Sequence, residues 1–498
     1  MGKLFNISLA LFACTGSFLF GYDAGVMTDV IASQNFLTFF HTDKGSPIIG
    51  AINSTFNGGA VFGALQGGLT MDRFGRKITI LMGSLICLVG AILQCAAQNL
   101  AMILVGRILT GWAVGLLSMA VPVYNSECAA PKIRGLIVGL SQQMIGIGFI
   151  ASTWVGYGSG TAPDSSSIQW RLPLAFQCLP CTILAAGIMF MPESPRHLME
   201  TDREDEALGV LRRLHSTGAN DSEVLQEFHE IKTTIAAEKA ITVPGWRIMF
   251  TVRQWRTRLL HGIAVQCFTQ FTGINVIGYY QTTMYDALGI TGNRNLLVAG
   301  IYNCVGPLAT RSSSSSRCID LIFIVFMIDR IGRRKPLLWG TVGITLALIC
   351  EAVVNSQIDT AHPQKSLSIA GVFFLFCVTV IFSLSWGPIS WVYMAEVMPM
   401  PIRARGNAFA TGIGNWLVST FWAQVAPTAL QELTWKFYFL FVAWNILITF
   451  PVVFFIFKET KQVSLEDIDL LFGERALGTL PDDLRKSGSG ITEVVGGA

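Results

Sequence analysis

The sequence predicts an all-α membrane protein of twelve transmembrane helices in two related six-helix bundles. Three observations predict it. First, 52% of the 498 residues are hydrophobic and only 13% are charged, against about 25% charged in a soluble domain. Second, the apolar residues gather into long runs centred near residues 17, 59, 88, 113, 147, 182, 271, 311, 346, 380, 417 and 446. A helix of about 20 residues crosses a hydrocarbon core about 30 Å thick. Third, Asp72-Arg73-Phe74-Gly75-Arg76-Lys77 returns as Asp329-Arg330-Ile331-Gly332-Arg333-Arg334, each time between two runs. Long internal repeats in so apolar a chain point to a transporter.

Composition also excludes classes. The net charge of +3 comes from basic residues in short loops, with no basic stripe of the kind nucleic-acid binding needs. The eleven cysteines fall mostly inside apolar runs without framework spacing, and read as small apolar residues. Cys178-Leu179-Pro180-Cys181 has metal spacing but no second ligand pair. No Gly-x-x-x-x-Gly-Lys-Ser or -Thr loop occurs, which argues against ATP-driven transport. Paired catalytic carboxylates and metal clusters are also missing from the sequence, so neither an enzyme nor a cofactor is expected.

In chain order, Leu4 to Ile31 is read as a retained first helix and not a signal peptide, because eleven further runs follow. Residues 1–192 are expected to form the N-terminal bundle, 193–258 a cytoplasmic helical linker, 259–457 the C-terminal bundle and 458–498 a polar cytoplasmic tail. In the linker, Leu208, Leu211 and Leu214, then Leu225, Phe228, Ile231 and Ile235, keep helical spacing and predict short amphipathic helices on the membrane face. The eighth run is abnormal: residues 310–320, Thr-Arg-Ser-Ser-Ser-Ser-Ser-Arg-Cys-Ile-Asp, split it into two pieces too short to span. Arg311, Arg317 and Asp320 at bilayer depth would each cost a few kcal/mol. The segment reads as a gene-model or splicing error, or as a lineage-specific insertion that forms a bulge or loop and weakens function.

Orientation follows from Lys and Arg in short loops. The loops carrying the repeated motif hold eleven, the opposite set four, so the motif, the linker and both termini are expected on the cytoplasmic side. The sequons at Asn6, Asn53 and Asn220 then face cytoplasm or membrane and should stay unmodified.

The repeat extends beyond the first motif. Glu127 and Arg134 are echoed by Glu396 and Arg403; Glu193-Ser194-Pro195-Arg196 closes the sixth run as Lys458-Glu459-Thr460-Lys461 closes the twelfth. Carboxylates at helix ends facing arginines on neighbours make a latch that can break when two halves rock. Its members are Asp72, Arg73, Arg76, Glu127, Arg134, Glu193 and Arg196 in the first half, with Asp329, Arg330, Arg333, Glu396, Arg403 and Glu459 in the second. Asp23 is the sharpest single residue. A carboxylate inside an apolar helix costs about 2.5 to 3.5 kcal/mol on insertion scales and tends to mark a relay or ion path. Its expected partner is Arg107, buried likewise in the fourth run.

These residues resemble the sugar porters of the major facilitator superfamily, with a fungal flavour, from about Gly21 to Thr460. The resemblance rests on Phe20-Gly21-Tyr22-Asp23, the two Asp-Arg-x-Gly-Arg loops, Pro192-Glu193-Ser194-Pro195-Arg196, Gln270 to Tyr280, and Trp386-Gly387-Pro388 with Trp391. It implies a major facilitator fold, a plasma-membrane location and monosaccharide:proton symport by alternating access, with Asp23 of the Asp23 and Arg107 pair taking the proton. The chain is expected to act as a monomer in a lipid bilayer, with a sugar and a proton as its partners. By the same resemblance Gln142, Gln270, Asn275, Trp391 and Asn415 bind the sugar through amides and an aromatic face. Thr269, where the family commonly has a second glutamine, and Ser383, ahead of the tenth-helix motif, point to altered hydroxyl contacts. A passive facilitator, a carrier of a polyol, disaccharide or quinate-like acid, and a non-transporting sugar sensor stay open.

Overall fold

The computed structural model describes residues 2–129, 134–215, 221–241, 246–311, 331–358, 364–399, 402–461 and 472. Helix starts follow local chemistry. Ser46 accepts a hydrogen bond from the Ile48 N–H and Pro47 occupies the first turn, opening the 28-residue helix Pro47–Phe74. Asn99 caps Met102 at 2.9 Å and opens Leu100–Cys128, whose 29 residues reach about 43 Å at 1.5 Å per residue. That exceeds the hydrocarbon core, so one end must stand in the interface.

The apolar runs fall on helices as expected. Among the described residues eight helical stretches are long and apolar enough to cross a membrane. The last, Arg405–Phe455, is 51 residues long and holds two crossings, because the chain turns at Thr434, with φ of 48°. The fifth run is the helix Arg134–Ser159, and the seventh is broken into Arg253–Phe271 and Ile274–Ala287. The helix Asn293–Arg311 carries the eighth run two residues into the serine-rich segment. Arg317 and Asp320 lie outside the described residues.

Small residues let the crossings close on each other. A Cβ at Gly111 would fall 1.9 Å from the Phe56 carbonyl oxygen, and one at Gly63 2.2 Å from that of Trp112. The helices Pro47–Phe74 and Leu100–Cys128 therefore pack backbone to backbone, as small-xxx-small faces do in lipid. Gly21 and Gly148 do the same for Thr15–Ala32 against Arg134–Ser159.

The linker forms Pro195–Glu200, Glu204–His215, Asp221–Ile241 and Ile248–Thr251. Leu198, Leu211, Val224, Phe228 and Ile235 make a small core of their own. Leu225 departs from the expected stripe: it is exposed, and Val224 is buried in its place. The helix Asp221–Ile241 presents one face to its neighbours, and that rotation decides which of two adjacent apolar residues goes inside.

The two halves touch on the face opposite the arginine-rich loops. Thr28 Oγ1 donates to the Gly278 carbonyl at 3.0 Å and Thr282 Oγ1 to the Thr28 carbonyl at 3.1 Å. The Tyr279 hydroxyl reaches Asn57 at 3.0 Å, Ser54 reaches Gln424 at 2.7 Å, and Lys44 pairs with Asp286. The protein is closed on that face.

Candidate functional site: a buried amide cluster and a carboxylate beside it

The seventh crossing breaks at Gly273, whose φ of +84° is open to glycine and strained for other residues. That break places Asn275 in the first turn of Ile274–Ala287, directly beside Gln270 at the end of the preceding helix. Asn275 Nδ2 donates to Gln270 Oε1 at 2.5 Å, and Gln270 Nε2 donates to Asn415 Oδ1. Asn415 lies in a π-helical stretch, Ala410–Leu417, the kind of local widening that often accompanies functional sites. Ser419 Oγ stands 3.4 Å from Asn275 Nδ2. Three of the five expected sugar ligands therefore form one network.

The other two stand apart from it. Gln142 is exposed on Arg134–Ser159, and Trp391 is half-buried on Trp386–Val397, packed against the main core. The aromatic ring beside the network is that of Trp416, next to Asn415. It lies 5.3 Å from Phe20 and 6.4 Å, edge-on, from Phe56, both in the other half. Phe56 continues the path, because the Arg107 guanidinium sits 4.2 Å over its ring. A chain of contacts thus runs from Arg107 through Phe56 and Trp416 to the amides.

The expected ion pair between Asp23 and Arg107 is not formed. Both residues are fully buried. Arg107 Nη1 donates to the main-chain carbonyl of Asp23 at 3.0 Å, and Nε to that of Ile52 at 3.4 Å. The Asp23 carboxylate accepts from Cys87 Sγ at 3.2 Å. Asp23 Oδ1 and Arg107 Nη2 have no hydrogen-bond partner among the described residues. The helix backbone, and not the carboxylate, holds the guanidinium here.

The repeated loops build two matching clusters. Arg76 Nη2 pairs with Glu127 at 2.9 Å, and Arg333 Nη2 with Glu396 at 2.7 Å. Glu193 accepts the N–H groups of Arg76 and Lys77, each at 3.1 Å. Glu459 accepts those of Arg333 and Arg334 at 2.8 and 3.1 Å. Each carboxylate thus caps the helix that starts after the turn glycine, Gly75 or Gly332, and favours that positive end. Ser194 and Thr460 close the rings onto Glu127 and Glu396 at 2.5 and 2.6 Å.

Each cluster therefore lies within one half. Arg76 also meets Glu200 at 2.9 Å. Burial pushes the Glu200 carboxyl up, but its His197 hydrogen bond and the Arg76 charge outweigh that and hold it at about 2. Arg196 pairs with Glu200 at 3.3 Å, and Arg403 Nε reaches the Met398 carbonyl at 3.3 Å. Asp72 and Arg73 are exposed beside the cluster. The helix beginning at Arg134 is described without that side chain, and Asp329 and Arg330 lie outside the described residues.

A model of the family described as "Sugar (and other) transporter" matches residues 9–472. The chain belongs to that family. Among its relatives, the MFS-type transporter criB of Aspergillus cristatus is 37% identical over 475 residues, 95% of each chain. A high-affinity glucose transporter of Kluyveromyces lactis is 30% identical over 489 residues, 94% of this chain and 85% of that one. The partially occluded inward-open form of the xylose transporter XylE from E. coli superposes with a TM-score of 0.76 at 22% identity. That match covers 93% of this chain and all of XylE, so the two share the twelve-helix major facilitator fold. Members of this family are multi-pass membrane transporters, not enzymes, and this chain is one of them.

Sequence reasoning missed two buried acids. Asp29 and Glu351 have no hydrogen-bond partner on either carboxylate oxygen among the described residues. The signal was the one that found Asp23, an acidic residue inside an apolar run. Asn57, Tyr279 and Ser419 were also missed, because common residue types in apolar helices carry no local mark of contacts made across the molecule.

Proposed function

We propose that the chain is a monosaccharide:proton symporter of the plasma membrane, working as a monomer in the bilayer with both termini and the arginine-rich loops in the cytoplasm. The observation that carries this reading is the joining of Gln270, Asn275 and Asn415 in one buried network at a helix break and a π-helical stretch. Buried amides offer paired donors and acceptors that can trade each other for sugar hydroxyls. Trp391 and Trp416 supply apolar faces, and Gln142 approaches from the other half as the cavity closes on the sugar. The likeness to a glucose transporter and to a xylose transporter supports the sugar class.

Asp23 takes the proton. In the present arrangement a neutral acid fits, since the guanidinium of Arg107 donates to the Asp23 carbonyl and not to its carboxylate. Release of the proton leaves a charge that draws Arg107 Nη2 onto the carboxylate. That movement pulls on Phe56, and through Trp416 on the amide network. Residues 1–192 and 259–457 act as the rocking bundles, 193–258 and 458–498 as cytoplasmic linker and tail. Opening the outer face requires Thr28, Asn57 and Lys44 to part from Gly278, Tyr279 and Asp286, while the two arginine clusters set the balance at the cytoplasmic end.

The test is uptake of a panel of labelled hexoses, pentoses, polyols and quinate in transporter-deficient yeast, with external pH recorded. A monosaccharide entering with alkalinisation of the medium is the expected result. Sugar uptake without a pH change makes the protein a passive facilitator, and uptake of none of the monosaccharides removes the substrate class.

A further inference from the structure

A cavity of about 340 Å³ lies on the outward face, separate from the amide network. It is within the about 300 to 1,000 Å³ range of small-molecule pockets. Its floor and walls belong to the C-terminal half: Thr283 and Met284 of Ile274–Ala287, Asn355 of Arg334–Ser356, Gln431 of Val418–Leu433 and Tyr438 of Phe437–Trp444. Its lid belongs to the other half and is the segment Asp43-Lys44-Gly45. Lys44 fastens that lid to Asp286. Gly45 rests so closely on Gln431 that a Cβ there would fall 1.8 Å from the amide oxygen.

The lining has a definite chemistry. The Thr283 hydroxyl is buried and has no hydrogen-bond partner among the described residues, so it carries an unmet desolvation cost that a ligand hydroxyl would relieve, and the Tyr438 hydroxyl beside it is turned to Asn355. Asn355 and Gln431 add amides, while Met284, Pro427 and Leu430 form an apolar wall. Lys44 is neutralised by Asp286, Asp43 is solvent-exposed, and the buried Glu351 near Tyr438 is not part of the lining, so no buried unpaired charge lines the cavity. Hydroxyl partners on one side and an apolar wall on the other match a neutral polyhydroxylated ring or chain.

We infer that this cavity is a second solute site that takes a neutral monosaccharide or polyol only while the outward face is closed. Because the lid and the walls come from different halves, an occupant ties them together and slows reopening. Solute at this site therefore acts as a non-competitive brake on its own transport at high external concentration. The braking rests on the alternating-access reading above; the binding does not.

The probes are D-glucose and D-sorbitol, observed by saturation-transfer difference NMR on the purified full-length protein in detergent. The Asn275→Ala protein, with its central network cut, should still give a signal from one of the two probes. Adding Thr283→Val and Tyr438→Phe should weaken that residual binding about tenfold or more, as expected for two lost hydrogen bonds. Lys44→Ala, which frees the lid, should weaken it as well. No residual signal in Asn275→Ala overturns the second site, and so does a residual signal that Thr283→Val with Tyr438→Phe leaves unchanged. Uptake at low sugar concentration should be unaffected by Tyr438→Phe, so a failed transport assay and a failed second site are read separately.

Discussion

Arg107 reaches the main-chain carbonyl of Asp23 at 3.0 Å while the Asp23 carboxylate takes its contact from Cys87 instead. The two side chains are adjacent and unpaired, a geometry with direct consequences for stability. Arg107→Ala strands two carbonyls and empties a fully buried volume, so it should destabilise the purified protein by about 3 to 5 kcal/mol. Asp23→Asn keeps shape and acceptor and should change stability by less than about 1 kcal/mol. Thermal unfolding in detergent gives both values. Equal losses from the two would mean that a closed ion pair holds this part of the protein together.

Asn275 bridges Gln270 and Ser419 at the helix break. Losing one matched hydrogen bond in a buried site costs about 1 to 3 kcal/mol, so Asn275→Ala should raise the half-saturation concentration about tenfold or more. Initial uptake rates across a sugar range measure it. Unchanged affinity for every transported solute places the sugar elsewhere.

Arg76 and Arg333 occupy equivalent positions, each pairing with a carboxylate of its own half. Neither is near the amides. Arg76→Ala and Arg333→Ala should lower the maximal rate at equal surface abundance and leave affinity within a few-fold, because only the balance of states changes. Loss of affinity at full rate contradicts this division of labour.

How far these clusters could be read from the chain depended on repetition. Glu127, Glu193, Glu396 and Glu459 announced themselves because the same charged residues recur at the same places in both halves. The amides were found only through resemblance, since a lone Gln or Asn in an apolar helix is more often interhelical glue. Gly273 stood in the sequence as an ordinary glycine, yet its backbone is what sets Asn275 against Gln270. The pairing of Asp23 with Arg107 was misjudged because charge and depth predict proximity, not which atom of the acid is touched. Closure contacts such as Tyr279 to Asn57 and Lys44 to Asp286 join distant segments, and nothing local marks them.

Phe56 touches both ends of the path, the Arg107 guanidinium at 4.2 Å and the Trp416 ring at 6.4 Å. Phe56→Leu keeps an apolar side chain but removes the aromatic face. It should reduce the steady-state accumulation ratio of sugar in cells while the half-saturation concentration moves less than about threefold, a shift under about 1 kcal/mol. An accumulation ratio equal to that of the unaltered protein removes Phe56 from the coupling path.

The central claim is that Asp23 carries the proton, and accumulation against a gradient tests it most directly. A membrane potential of 100 mV is worth about 2.3 kcal/mol per charge, which corresponds to about a 40-fold sugar gradient at 1.4 kcal/mol per factor of ten. Purified Asp23→Asn protein in liposomes with an imposed potential should exchange labelled sugar but bring it only to equilibrium, with no acidification of the lumen. Accumulation above equilibrium together with lumen acidification by Asp23→Asn would contradict the account and place the coupling group elsewhere.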